Sequence, residues 1–195
     1  GYNLPDVRYP LPIEANAAGV YGLAHPPLWT APLERSIKFY TELLGFTFMQ
    51  PIEDIGQDKW MQEMLGVPGA SFRVAMLNMP GGPSYSVHVP TIEIWEVKGI
   101  PLDKSLAENP TKNLQGKGYN SYRVTNLDAL VARLKAAGVK IIGAPIWPSR
   151  GHGGVYVVDP DGQLVELDEY DNAPGEIAAG YPKGDTGPAE LKGEK

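Results

Sequence analysis

The chain has 195 residues, of which 43% are hydrophobic and 21% charged, with 17 lysines and arginines against 23 aspartates and glutamates. These values are typical of a globular chain with a sizeable core, and the net charge of −6 argues against nucleic acid and anionic membrane as partners. No apolar run reaches the ~18 residues of a membrane-spanning helix, and the lack of cysteine excludes disulfides and thiol nucleophiles.

Proline and glycine mark both ends of the chain as segments without regular structure. Residues 1–18 are predicted to form an extended arm, and residues 173–195 an irregular Gly/Pro-rich tail. The folded domain is expected over 19–172. Gly1 fits either a tag remnant or a mature end after signal removal, so the cytoplasm and export both stay open as compartments.

Helical spacing of apolar residues predicts helices over 32–44 and 126–137, with a shorter one near 57–65. Thr125 and Asp128 are expected to form a capping box at the start of the second helix. A glycine directly follows each of the two longer helices and predicts where it ends.

Runs rich in β-branched and aromatic residues predict seven strands, in the segments 19–29, 71–79, 91–97, 118–124, 139–145, 154–159 and 163–170. The Asp-Gly pair at 161–162 predicts a tight hairpin between the last two of these strands.

The two halves of the chain match each other in sequence. Each half reads as a strand, a helix and then two or three strands, with Leu33 corresponding to Leu127 and Glu93 to Glu166. Such internal similarity is the signature of a duplicated structural unit. The sequence therefore predicts an α+β fold built from two copies of one module.

Three segments carry a resemblance to a known family: "LERSIKFYTELLGF" at 33–46, "NLDALVARLKAAGVKI" at 126–141 and "DPDGQLVELDEY" at 159–170. In this order they resemble the vicinal oxygen chelate superfamily of glyoxalases, bleomycin-resistance proteins and extradiol dioxygenases. The resemblance implies two βαβββ modules, about 19–100 and 115–172, whose strands form a U-shaped mixed sheet around one cavity. Relatives often pair modules across a dimer, so the resemblance admits a homodimer and leaves the oligomeric state open.

Site residues follow from the same resemblance. The family places a histidine in the first strand of each module, eight residues before the helix, and a glutamate in the last strand. The matching positions here are His25, Glu93, Tyr119 and Glu166, which would surround one cavity. Tyr119 departs from the pattern, because many metal-binding members carry a histidine there and a protonated phenol is a poor ligand.

One imidazole and two carboxylates, His25, Glu93 and Glu166, are a suitable ligand set for a divalent cation. The candidates are Mn, Fe(II), Mg, Ni and Zn, and the oxygen-rich set favours the first three over zinc. A cation with open positions can bind two vicinal oxygens of a small-molecule substrate. Glu166 would then move a proton, with Tyr119 or His152 assisting.

Other polar and aromatic residues are assigned around this cavity. Alternation places Trp29 and Trp95 on the strand faces of His25 and Glu93, where they would form an aromatic wall. Arg150, in the "SRGHGG" loop with His152, would bind an anionic group of the substrate. Three further residues are interpreted as structural: His88 as pointing away from the site, and Glu96 and Glu169 as solvent-facing charges.

Three functions compete. The first is a metal-dependent lyase or isomerase acting on vicinal oxygens. The second is a metal-free protein that sequesters a small molecule, as bleomycin-resistance proteins do. The third, an extradiol dioxygenase, ranks last because it needs two histidines and one carboxylate on Fe(II), and Tyr119 stands where the second histidine would be.

Overall fold

A computed structural model describes residues 26–79, 91–101, 105–112, 114, 118–146 and 152–170. The predicted arm, the predicted tail, His25, His88 and Arg150 lie outside these residues, as does the side chain of His152. Among the helices of the described part, none is long and apolar enough to cross a membrane.

The first module contains one long helix and one five-stranded sheet. Its elements are β1 (Pro27–Thr30), α1 (Leu33–Lys38) continued by a π-helical turn (Phe39–Leu43), β2 (Thr47–Phe48), β3 (Glu53–Gly56), α2 (Lys59–Leu65), β4 (Ser71–Asn78) and β5 (Thr91–Lys98). The strand order is β1-β5-β4-β2, with β3 also pairing with β4. The prolines of "HPPLW" therefore lie on an edge strand, where a missing N–H is tolerated.

The second module repeats this plan with four strands. After α3 (Ser105–Glu108) come β6 (Asn120–Arg123), α4 (Leu127–Ala136), β7 (Ile141–Ile146), β8 (His152–Val158) and β9 (Leu164–Tyr170). The strand order is β6-β9-β8-β7, and β6 runs parallel to β9 just as β1 runs parallel to β5. The predicted α+β fold with two duplicated modules is confirmed, and its described strands divide between two mixed sheets.

A glutamate from the last strand of each module caps the helix of that module. Glu96 accepts a hydrogen bond from the backbone N–H of Leu33 at 3.1 Å, and Glu169 accepts from the N–H of Leu127 at 2.6 Å. Glu96 is only 2% exposed, so the prediction that it faces solvent is wrong. A carboxylate satisfies the free N–H groups at a helix start and interacts favourably with the helix dipole, which explains the duplicated position.

The predicted capping box at α4 is also wrong. The N-cap is Asn126, whose side chain accepts a hydrogen bond from the N–H of Ala129. Asn126 has φ 54°, a left-handed conformation that asparagine tolerates better than most residues. The backbone N–H groups of Asn126 and Leu127 donate to Glu169. The start of α4 is therefore capped by Asn126 and Glu169 and not by Thr125 and Asp128.

One buried apolar cluster joins the two modules. It contains the helix-facing residues of both sheets, such as Ile94 in β5 and Leu167 in β9. The rings of Phe46 and Tyr122 meet edge to face across it, with centroids 5.3 Å apart. The modules therefore pack together through their helix sides, and the opposite faces of both sheets turn away from the shared core.

The turn between β8 and β9 fixes this packing through two aspartates. Asp161 accepts hydrogen bonds from the hydroxyls of Thr30 and Ser36 at 2.6 and 2.5 Å, and it pairs with Arg35. Asp159 accepts a hydrogen bond from the hydroxyl of Tyr40 at 3.1 Å. The "DPDG" segment thus connects the second module to the first strand and helix of the other.

Burial raises the pKa of Asp159 from 3.8 to about 6. Because the unfolded chain releases this proton near pH 4 and the folded protein near pH 6, stability falls as the pH rises through this window, by about 3 kcal/mol. Asp159→Asn is expected to remove this fall while leaving the rest of the pH profile unchanged. Urea unfolding of the parent and of Asp159→Asn from pH 3.5 to 7.5 measures the free energy of unfolding. If this free energy changes with pH in the same way in both proteins, Asp159 is not the group responsible.

Candidate active site

The face of the first sheet that turns away from the shared core carries a buried carboxylate. In β5, Ile92 and Ile94 belong to the shared core, so alternation directs Glu93 and Trp95 to the other side. Glu93 is 7% exposed, and the indole N–H of Trp95 donates a hydrogen bond to its Oε2 at 2.9 Å. This side of the sheet is called the Glu93 face below.

Trp29 lies beside Trp95 on the Glu93 face, as alternation predicts. The two residues are register partners in the parallel β1–β5 pair, and their ring centroids are 6.1 Å apart. Trp29 is 43% exposed, whereas Trp95 packs into a second apolar cluster with Phe72, Val74 and Met76. The face therefore combines a buried carboxylate with an accessible aromatic surface.

The first strand approaches Glu93 directly through its backbone. The N–H of Glu93 donates to the carbonyl of Pro26 at 3.2 Å, and Glu93 is the register partner of Pro27. Pro26 is the chain neighbour of His25, which itself lies outside the described residues.

The corresponding face of the second sheet carries Glu166 with two tyrosines. Glu166 is the register partner of Tyr156, and the rings of Tyr156 and Tyr119 meet edge to face at 5.2 Å. Partial burial raises the pKa of Tyr156, and hydrogen bonds with Tyr119 and Glu166 raise it further. Tyr156 therefore stays protonated and can donate a hydrogen bond. This side is called the Glu166 face below.

A second carboxylate lies on the Glu166 face. Asp168 is 7% exposed and accepts a hydrogen bond from the hydroxyl of Ser121 at 2.6 Å. Asp168 and Tyr156 are candidate site residues that sequence reasoning missed. The signal for Tyr156 was available: the Asp-Gly turn at 161–162 sets the register of the hairpin, and that register pairs Tyr156 with Glu166.

The structure does not bring the two carboxylate faces together within one chain. Glu93 and Glu166 lie on different sheets, on the sides that turn away from the shared core. Among the described residues, no three His, Asp or Glu side chains lie close enough to hold a metal ion. A cavity of about 780 Å³ does lie between the modules, but it is on the helix side, lined by Phe46, Leu130 and Arg133.

Each face on its own offers part of a ligand set for a cation. The Glu93 face supplies one buried carboxylate, and the Glu166 face supplies a half-buried carboxylate beside two phenols. Oxygen donors of this kind suit Mg, Mn or Fe(II). These donors are chemically suitable for such a cation. Among the described residues of one chain, however, they do not come together as a complete ligand set.

The chain belongs to the Glyoxalase/Bleomycin resistance protein/Dioxygenase superfamily, whose family model matches residues 22–167. Among characterised relatives, a 2-epi-5-epi-valiolone epimerase from Actinomyces sp. is 28% identical over 150 residues, covering 73% of this chain and 76% of the relative.

Solved structures show the same fold. A glyoxalase family protein from Bacillus cereus superposes with a TM-score of 0.65 at 19% identity, covering 78% of this chain and 96% of that one. The trypanothione-dependent glyoxalase I of Leishmania major superposes with a TM-score of 0.56 at 25% identity, covering 89% and 96%.

Proposed function

We propose that this protein is a divalent-metal-dependent isomerase that epimerises a carbon of a small molecule with vicinal oxygens. The observation that carries the proposal is Glu93, a carboxylate kept buried on an inner strand of the sheet at the position duplicated by Glu166. Its Oε2 accepts a hydrogen bond from the indole N–H of Trp95, and carboxylate oxygens of this kind suit Mg, Mn or Fe(II).

His25, Glu93 and Glu166 would hold the cation, which when bound would polarise a carbonyl or hydroxyl oxygen of the substrate and acidify the neighbouring C–H. The protein's own groups would then handle the proton. A carboxylate at Glu166 can accept it, and the protonated phenol of Tyr156 beside it can hold the carboxylate in place by hydrogen bonding. Glu166 would release its proton to solvent, and a water molecule on the opposite side of the ring would protonate the same carbon, which inverts its configuration.

The characterised relative favours isomerisation over a lyase reaction, because it is an epimerase by name. We infer that the substrate here is also a ring with several hydroxyl groups next to a carbonyl. Tyr119, at the position where many relatives carry a histidine, would contact the substrate and would not bind the cation.

A second copy of the chain would complete the site. The modules of one chain share their helix sides, which leaves the Glu93 face and the Glu166 face turned outward. In a homodimer, the Glu93 face of one protomer can meet the Glu166 face of the other and bring both carboxylates to one cation. Two-fold symmetry would produce two identical sites from such a pairing.

The experiment follows proton exchange on the substrate. Protein supplied with Mn²⁺ is incubated with 2-epi-5-epi-valiolone in D₂O, and NMR follows deuterium at the epimerised carbon. We expect deuterium incorporation that needs the cation and is lost in Glu166→Gln. Glu42→Gln, on an exposed part of the π-helical turn, is the matched control and should behave like the parent. Exchange that survives in Glu166→Gln would contradict the proposal.

A metal-free binding protein of the bleomycin-resistance type is the second candidate. The accessible ring of Trp29, tilted against that of Trp95, favours it, because an exposed indole can pack against a flat ligand without a metal. The two candidates differ in one result. The distinguishing measurement is the effect of EDTA. A sequestering protein would bind its ligand with the same affinity in EDTA and would not convert it, whereas the isomerase would convert its substrate and would stop doing so when EDTA removes the metal.

A further inference from the structure

The cavity of about 780 Å³ between the modules is built from both of them. One wall is the face of α4 that carries Leu130 and Arg133, which are three residues apart and therefore neighbours on the helix surface. The opposite wall is Phe46 and Met79 from the first module. A cavity of this volume is large enough to take a small molecule.

Much of the surface of this cavity is apolar and only partly covered. Four side chains that line it belong to the rim of the shared core and are half-buried: Leu44, Met79, Val124 and Leu130. Apolar surface that stays in contact with water is unfavourable, and where several such side chains meet in a concave site they favour an apolar ligand.

Arg133 supplies a positive charge at one end of the cavity. Its guanidinium donates a hydrogen bond to the carbonyl oxygen of Leu43 at 2.9 Å, which uses one of five N–H donors and does not neutralise the charge. Among the described residues that line the cavity, none is acidic. Arg123 lines it too, but it is the register partner of the carboxylate of Asp168, so we assign anion recognition to Arg133 alone.

The carboxylates of the surrounding elements lie away from Arg133. Glu42 lies in the π-helical turn, with its Oε2 3.8 Å from the Nζ of Lys38. Glu169 caps the start of α4, roughly 10 Å along the helix from Arg133. Asp128 is five residues before Arg133 and therefore on a different face of α4. The Arg133 end of the cavity is thus its positive end.

We propose that this cavity binds a small amphipathic anion, a carboxylate that carries an apolar chain. The head group pairs with Arg133, whose planar guanidinium can hold both carboxylate oxygens, and the chain lies against Leu44 and Leu130. The inference does not depend on the proposed function, because neither Glu93 nor Glu166 lines the cavity. Since the ligand contacts both modules, it should stabilise the folded chain.

Decanoate is the probe, and calorimetry on the full chain measures its binding with EDTA present. We expect one decanoate per chain, bound at least tenfold more tightly than decanol, together with a higher melting temperature. Arg133→Glu should weaken decanoate binding by about tenfold or more. The same variant should bind decyltrimethylammonium, which has the same chain with a cationic head group, more tightly than the parent does.

Two matched controls separate the cavity from the rest of α4. Lys135→Glu makes the same change of net charge at an exposed position outside the cavity and should keep the parent's affinity for decanoate. Ala129→Trp fills the cavity from an exposed position of α4 and should abolish decanoate binding. Ala132→Trp, exposed on the same helix but outside the cavity, should not.

Equal losses of affinity in Arg133→Glu and Lys135→Glu would overturn the proposal, because they would show attraction to the overall charge of the protein. Decanoate affinity that Ala129→Trp leaves unchanged would place the ligand elsewhere and would overturn it too. Absence of saturable decanoate binding by the parent has the same consequence. Each of these results leaves the proposed function in place, because that function is tested through Mn²⁺ and proton exchange.

Discussion

Glu93→Gln is expected to abolish cation binding and to lower the epimerisation rate by about 100-fold or more, while the protein stays folded. The substitution keeps the size of the side chain and leaves an oxygen that can accept the hydrogen bond of Trp95. What it removes is the negative charge that would hold a bound cation. Calorimetric titration with Mn²⁺ and the NMR exchange assay measure both effects.

The melting temperature distinguishes loss of function from loss of structure in this experiment. Because Glu93→Gln keeps the size of the side chain and an acceptor for the Trp95 indole, the metal-free variant should still unfold in one cooperative transition. Added Mn²⁺ should raise the melting temperature of the parent and of Glu42→Gln, but not that of Glu93→Gln. A Glu93→Gln protein that still binds Mn²⁺ with the parent's affinity would refute the role assigned to this carboxylate.

Asp161→Ala is expected to destabilise the protein by about 3 kcal/mol. Thr30 and Ser36 would lose the acceptor of their hydroxyls, and Arg35 its ion pair, all at the contact between the modules. For a chain of this size, the melting temperature should fall by roughly 6–12 °C.

Arg35→Ala is the graded control for this prediction. Arg35 is 45% exposed at its side chain, and an ion pair at such a position contributes less than about 1 kcal/mol. Urea unfolding should therefore rank Asp161→Ala well below Arg35→Ala in stability. Equal effects of the two substitutions would mean that the ion pair, rather than the buried hydroxyls of Thr30 and Ser36, carries the contact.

The sequence predicted most of the fold because its strongest signals are local. Apolar residues at helical spacing located α1 and α4, and the Asp-Gly pair located the β8–β9 hairpin. The internal match between Glu93 and Glu166 identified the duplication. Two short strands, β2 and β3, escaped prediction because two and four residues carry too little pattern to distinguish a strand from a loop.

The site was harder to predict because it depends on contacts between distant segments. Alternation placed Glu93, Trp95 and Trp29 on one face correctly. It failed for Glu96, since alternation identifies a face but cannot show that the start of α1 covers it. The functional roles assigned to all the predicted site residues stay predictions: His25, Trp29, Glu93, Trp95, Tyr119, Arg150, His152 and Glu166.

The most direct test of whether Glu93 and Glu166 hold one cation is Mn²⁺ binding, measured by electron paramagnetic resonance. The samples are Glu93→Gln, Glu166→Gln and an equal mixture of the two that has been unfolded and refolded together. We expect no specific Mn²⁺ binding in either variant alone. In the mixture, about a quarter of the parent's sites should return, because a mixed dimer joins the intact Glu93 of one protomer to the intact Glu166 of the other. Retention of the site in either single variant would contradict the claim that these two carboxylates hold one cation.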